Sequence, residues 1–213
     1  MNAEEFQYFV GMAGTVAFAV TAVLAVTPKG IDLFGACVMG IITAIGGGTI
    51  RDLILDVPVF WASDLMYIWV ALLSSLVAFQ ANRFMGRKSI YQAMLYLDGL
   101  GVALFSIQGT HKVILLDFGW PLAPVLLGIV TAIGGGLTRD VLAGNTTLLM
   151  KHELYAVPVT LGCVLYTVLI AIWPEQAALD GTVSGLFIFA VRAAAIHWKI
   201  ALPHWATTQP NKE

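Results

Sequence analysis

Long uncharged runs are the feature that most constrains what this chain can fold into. Five segments of at least 18 residues contain no Asp, Glu, Lys or Arg: 6–27, 33–50, 65–82, 118–138 and 154–174. Two more segments, 90–110 and 181–198, contain one charge each, Asp98 and Arg192. A helix needs about 20 apolar residues to cross the hydrocarbon core of a bilayer. The pattern therefore predicts an all-α, polytopic membrane protein with seven transmembrane helices.

The remaining composition fits this interpretation. Only 11% of the 213 residues are charged, whereas soluble domains average about 25%. The connections between the runs are short, so we expect one transmembrane domain over residues 1–213. We find no basic patch with interleaved aromatic residues, and therefore expect no nucleic-acid partner. No catalytic constellation or metal-ligand spacing stands out, so we expect neither an enzyme nor a cofactor or metal.

One motif occurs twice. The stretch GIITAIGGGTIRD at 40–52 aligns with GIVTAIGGGLTRD at 128–140 after a shift of 88 residues, with ten of thirteen positions identical. The shift makes 6–82 and 90–174 two copies of a three-helix unit and leaves 181–200 as a seventh helix. Because each copy has an odd number of helices, the second copy must be inverted in the membrane, as in many transporters and some channels.

Each copy places a glycine triplet two residues before an Arg-Asp pair. The triplets are Gly46, Gly47 and Gly48 in the first copy and Gly134, Gly135 and Gly136 in the second. Glycine lowers helix stability, so we expect both helices to break there and the freed backbone groups to line an aqueous path. The alternative is that the glycines only let helices pack closely, while the charges reach the membrane interface.

The charges within the spans are candidate pore residues: Arg51, Asp52, Asp98, Arg139, Asp140 and Arg192. Asp98, Arg139 and Arg192 fall at similar depth toward one face, so at least two of them should be in contact. Alternatively, each charge binds its own water. The first copy has Val10 where the second has Asp98, so the two halves differ electrostatically.

The paired GGGxxRD motifs and the LDGLGVALFSIQG stretch at 97–109 resemble the prokaryotic trimeric intracellular cation (TRIC) channels, a group also labelled as glycine transporters. The resemblance covers nearly the whole chain. It implies a homotrimer with one pore in each protomer, running between the repeats past the glycine kinks. It further implies passage of potassium and other monovalent cations, with K⁺ or Na⁺ bound in the pore. A secondary transporter of a small zwitterion such as glycine is the alternative function.

The distribution of basic residues predicts the orientation in the plasma (inner) membrane. With seven spans, one Lys lies in the loops on the N-terminal side, whereas the other side holds seven Lys or Arg residues: Lys29, Arg83, Arg87, Lys88, Lys151, Lys199 and Lys212. Basic loops stay in the cytoplasm. We therefore expect the N-terminus outside and the C-terminus inside.

Single cysteines introduced at Asn2 and Asn211, in a protein with Cys37 and Cys163 replaced, test this orientation. A membrane-impermeant maleimide added to intact cells should label position 2 and leave position 211 unlabelled. Labelling of position 211 alone would reverse the assignment.

Overall fold

The computed structural model describes residues 3–84, 86–151 and 153–201, and these residues are predominantly helical. They form eight α-helices: α1 Ala3–Val26, α2 Leu33–Ile54, α3 Phe60–Ser63, α4 Met66–Ala81, α5 Arg87–Leu115, α6 Leu122–Leu142, α7 Ala156–Ile172 and α8 Ala177–Trp198. Among the described helices, α1, α2, α5, α6 and α8 are long and apolar enough to cross a membrane. The apolar helices α4 and α7 are shorter, and α3 is a single turn. The all-α prediction is confirmed.

Four helices form the centre of the fold. Helix α1 packs along α5, α5 along α6, and α6 along α2. Helix α4 covers α1 and α2, while α7 and α8 cover α5. The shared core includes the buried side chains of Phe18, Val102, Ile107 and Tyr166. Residues of α2 and α6 therefore lie at the centre, where two spans face each other.

The sequence repeat has a counterpart in the backbone. Helix α2 ends in a turn in which Asp56 has a φ of 54° and the Val57 N–H donates to the Asp52 carbonyl at 3.1 Å. Eighty-eight residues later, Gly144 has a φ of 61° and the Asn145 N–H donates to the Asp140 carbonyl at 2.8 Å. Bonds of this kind satisfy carbonyls that a helix end would leave free. Both helices thus end in the same way, two residues after their Arg-Asp pairs.

The expectation that the glycine triplets break their helices is wrong. Helix α2 continues through residues 46–48 to Ile54, and α6 continues through residues 134–136 to Leu142. The Arg-Asp pairs consequently lie inside helices. Close packing supplies the physical reason, because tertiary contacts override the low helix propensity of glycine.

The glycines bring the backbones of α2 and α6 into contact, and the contact is reciprocal. A methyl group on Gly47 would overlap the carbonyl oxygen of Thr131, and one on Gly135 would overlap the carbonyl oxygen of Thr43. A methyl group on Gly134 would lie 3.1 Å from the Cα atom of Gly47. Thr43 and Gly47 are the 88-residue counterparts of Thr131 and Gly135. Side chains are therefore excluded from this crossing on both helices.

Replacement of the glycines one at a time tests the crossing. Gly47→Ala and Gly135→Ala should each destabilise the purified protein by about 1–3 kcal/mol, the usual cost of overfilling a packed site. Gly46→Ala is the matched control, because the atom nearest to its added methyl group would be 3.7 Å away. Thermal unfolding in detergent measures all three. Equal effects at positions 46 and 47 would contradict the packing role.

Candidate functional site

A first buried charged cluster lies at the end of α2. Arg51 donates from Nε to Asp52 Oδ1 at 2.8 Å, and Lys112 of α5 donates from Nζ to the same oxygen at 2.8 Å. The other oxygen, Asp52 Oδ2, accepts the Phe60 N–H at 2.9 Å. Arg51 and Asp52 are buried, whereas the Lys112 side chain is 31% exposed. Two cations therefore share one carboxylate, and only the lysine is open to solvent.

A second buried cluster lies at the end of α6. Arg139 donates from Nε to Asp140 Oδ1 at 2.9 Å and from Nη1 to Asp98 Oδ1 at 2.7 Å. The same Nη1 atom lies 3.0 Å from the hydroxyl of Thr21 on α1. Asp140 Oδ2 accepts the Leu148 N–H at 3.1 Å. The expected contact between Asp98 and Arg139 is present, and here one arginine serves two carboxylates.

The two clusters share a plan and differ in charge. In each, an arginine pairs with the next residue, and that aspartate accepts an N–H eight residues further on. The partner from α5 is a cation in the first cluster, Lys112, and an anion in the second, Asp98. Val10, the counterpart of Asp98, is buried. The bonded groups at the C-terminal end of α2, hereafter the α2 end, thus carry excess positive charge. The bonded groups at the C-terminal end of α6, hereafter the α6 end, carry excess negative charge.

Arg192 belongs to the second cluster only indirectly. It donates from Nη1 to the Leu154 carbonyl at 2.8 Å, and its guanidinium lies 4.8 Å from the centre of the Tyr155 ring. The Tyr155 hydroxyl and the Asp98 carboxylate both approach Gly136. Within the described residues Arg192 forms no ion pair. The predicted three-charge network therefore consists of one ion pair with Arg192 held beside it through Tyr155.

Several buried polar atoms in these clusters have no hydrogen-bond partner in the described part of the chain. They are Asp98 Oδ2, Arg139 Nη2, Arg192 Nε and Nη2, and Arg51 Nη1. Buried polar groups of this kind usually bind water. The two clusters therefore favour hydration in the interior of a membrane-spanning bundle.

Cavities approach the clusters from opposite ends of α5. The Asp140 cavity, of about 340 Å³, is lined by Tyr91 near the start of α5 and by Asp140, Lys29 and Lys151. The Lys112 cavity, of about 500 Å³, is lined by residues near the end of α5 and by Gln7 of α1; the α5 residues include Gln108, His111 and Lys112. About 20 residues of α5 separate Tyr91 from His111, which corresponds to roughly 30 Å of helix.

The structure adds residues that the sequence did not single out as site residues. Lys112 completes the first cluster, while Thr21 and Tyr155 complete the second. Tyr155 carried a signal, because it aligns with Tyr67 at the same 88-residue shift. Lys112 and Thr21 carried none, since they lie on helices distant in sequence from the residues they contact.

Comparison with known proteins finds a matching family model and bacterial membrane proteins of similar sequence. A family model described as glycine transporter matches residues 8–83 and 95–171. The inner membrane protein YadS of Escherichia coli K12, labelled UPF0126, is 36% identical over 211 residues, covering 96% of this chain and 99% of YadS.

The chain also resembles solved structures of cation channels. The trimeric intracellular cation channel orthologue from Rhodobacter sphaeroides superposes with a TM-score of 0.86 at 29% identity, covering 91% of this chain and 98% of that one. A second structure, which describes the structural basis for conductance through TRIC cation channels, superposes with a TM-score of 0.81 at 28% identity, covering 99% of this chain and 100% of that one.

Proposed function

We propose that this chain, which belongs to the TRIC channel family, is itself a channel for monovalent cations, with potassium as a permeant ion. The observation that carries the proposal is the pair of cavities at opposite ends of α5. Each reaches one of the two buried charged clusters. A channel needs only a continuous polar path with weak binding sites, and the two cavities supply its two ends.

We place the path between the two repeats. The reciprocal contact at Gly47 and Gly135 supports a second, inverted copy, because it relates α2 to α6 by an approximate two-fold axis. The separate matches of the family model to residues 8–83 and 95–171 support the same division. In this arrangement seven helices, all except α3, cross the membrane, and the contact between the glycines closes the path midway.

The charges favour cations at the α6 end. Asp98 and Asp140 share Arg139 as their directly bonded cation. Two lysines also line the Asp140 cavity. Lys151 donates to the hydroxyl of Tyr91 at 2.9 Å, and the ammonium of Lys29 donates to the Ala143 carbonyl at the end of α6. The carbonyl end of a helix carries partial negative charge, which offsets that lysine.

The α2 end is the higher barrier for a cation, since Arg51 and Lys112 outnumber Asp52. Lys112 is the movable member, because it is partly exposed and has a long flexible stem. Displacement of its ammonium from Asp52 would leave the carboxylate with one cation. We therefore expect opening at this end to require movement of Lys112.

A glycine transporter is the second candidate, and one observation favours it. Asp98 Oδ2 and Arg192 Nη2 are buried and have no partner among the described residues. An acid and a base in one region offer opposite charges to the ammonium and the carboxylate of a zwitterion. Saturable glycine uptake that depends on both residues would support this alternative.

By the same family relationship we propose a homotrimer in the plasma (inner) membrane, with the α6 end of the path facing the cytoplasm. The name of YadS supports the membrane, and the description of the Rhodobacter sphaeroides structure supports the trimer. The seven basic residues that the sequence predicts on one side of the membrane support the orientation.

The ion pair between Asp98 and Arg139 provides a direct test of the path. Asp98→Asn should lower potassium flux into proteoliposomes several-fold, since it removes a carboxylate and with it the excess negative charge of the bonded groups beside the path. It should also destabilise the protein by about 3–5 kcal/mol, the usual effect of breaking a buried pair. The double change Asp98→Asn with Arg139→Gln should cost less than the sum of the two single changes in both measurements.

The matched control is Asp32→Asn. Asp32 is exposed on the same side and caps α2 by accepting the Gly35 N–H at 2.7 Å, a role that asparagine performs equally well. Flux and unfolding temperature should be unchanged. If the effects of Asp98→Asn and Arg139→Gln on flux and stability were strictly additive, the prediction that the ion pair acts as a unit beside the path would be contradicted.

A further inference from the structure

A buried histidine lies beside the Lys112 cluster and has no role in the path described above. His111 is the residue before Lys112 on α5 and is 7% exposed. Its Nδ1 atom lies 2.7 Å from the hydroxyl of Tyr166 on α7. Both His111 and Lys112 line the Lys112 cavity, so protons from that side of the membrane reach the imidazole.

We propose that His111 and Tyr166 form a proton-binding site that reduces cation flow when the solution at the Lys112 end becomes acidic. The proposal rests on the proposed channel function. Histidine is the side chain that most readily changes charge near neutral pH, and the cavity opens His111 to the solution on one side of the membrane. The site therefore gives the channel a sensor on one side.

The hydrogen bond between the two residues has two states that differ in direction. When His111 is neutral and carries its proton on Nε2, Tyr166 donates its hydroxyl proton to Nδ1. When the imidazole is protonated, Nδ1–H becomes the donor and the tyrosine oxygen accepts. The hydroxyl proton is then free to turn toward another acceptor. Asp180 of α8 interacts electrostatically with Tyr166, and its buried Oδ2 has no partner among the described residues.

Protonation of His111 changes the electrostatics of the neighbouring cluster formed by Arg51, Asp52 and Lys112. Protonation of His111 adds a positive charge in the cavity wall beside Lys112, while Asp52 remains the one carboxylate bonded to Arg51 and Lys112 among the described residues. A cation approaching through the Lys112 cavity is then repelled more strongly.

Other titratable side chains lie on the elements at this end of the bundle. They are Glu5 and Tyr8 near the start of α1, Tyr67 of α4 with Asp64 just before that helix, and Glu175 before α8. The part of α6 that faces this end of α5, residues 122–128, contains no titratable side chain. Among the groups in the cavity wall, His111 is the one whose ordinary pKa lies between 5 and 8.

Single-channel recording with separate perfusion of the two chambers tests the proposal. For each inserted channel, lowering the pH from 8 to 5 in one chamber should reduce potassium current roughly fivefold, the effect of one added unit charge a few ångströms away. The same change in the other chamber should have little effect. His111→Gln should abolish the response, whereas His197→Gln, a change at an exposed residue near the opposite end of α8, should preserve it.

The outcomes separate this inference from the channel proposal. No current at any pH would count against the channel itself. Current that ignores pH, or a response that survives His111→Gln, would overturn the sensor alone. If His111→Gln does not fold, Tyr166→Phe keeps the histidine and removes its partner. That variant should shift the midpoint pH of the response, and an unchanged midpoint would contradict the paired site.

Discussion

Direct contact between the backbones of α2 and α6 is the interaction on which the rest of the structure depends. Gly47 and Gly135 each lie against the opposite helix with no room for a side chain. Helices in a membrane associate through such close packing, because burial from water supplies little driving force between them. The contact fixes the two helices at the centre and sets the Arg-Asp pairs at opposite ends of the bundle.

The charged pairs follow from the same constraint on what a membrane interior tolerates. Each arginine binds the aspartate that follows it, and each aspartate accepts an N–H from the turn beyond its helix. A charged residue within a membrane span needs partners of this kind or water. Because the plan is local, it occurs in both copies. The partners supplied by α5, Lys112 and Asp98, break the symmetry, so that the bonded groups of the first cluster carry excess positive charge and those of the second carry excess negative charge.

The sequence was informative where the physics is local and less so where it depends on packing. Uncharged runs identified the helical segments, and the spacing of 88 residues identified the paired motifs. Similar depth in the membrane predicted the contact between Asp98 and Arg139. The triplets were misjudged because low helix propensity at Gly47 and Gly135 is overridden by packing that only the assembled bundle provides. Lys112 was missed because its partner lies 60 residues away on another helix.

The most direct test of the central claim is single-channel recording of the purified protein in a planar bilayer under a potassium chloride gradient. The account predicts unitary current steps that reverse near the potassium equilibrium potential and that persist without glycine. Saturable glycine uptake by the same preparation, with no unitary current at any voltage, would contradict the claim and assign the chain to the transporters.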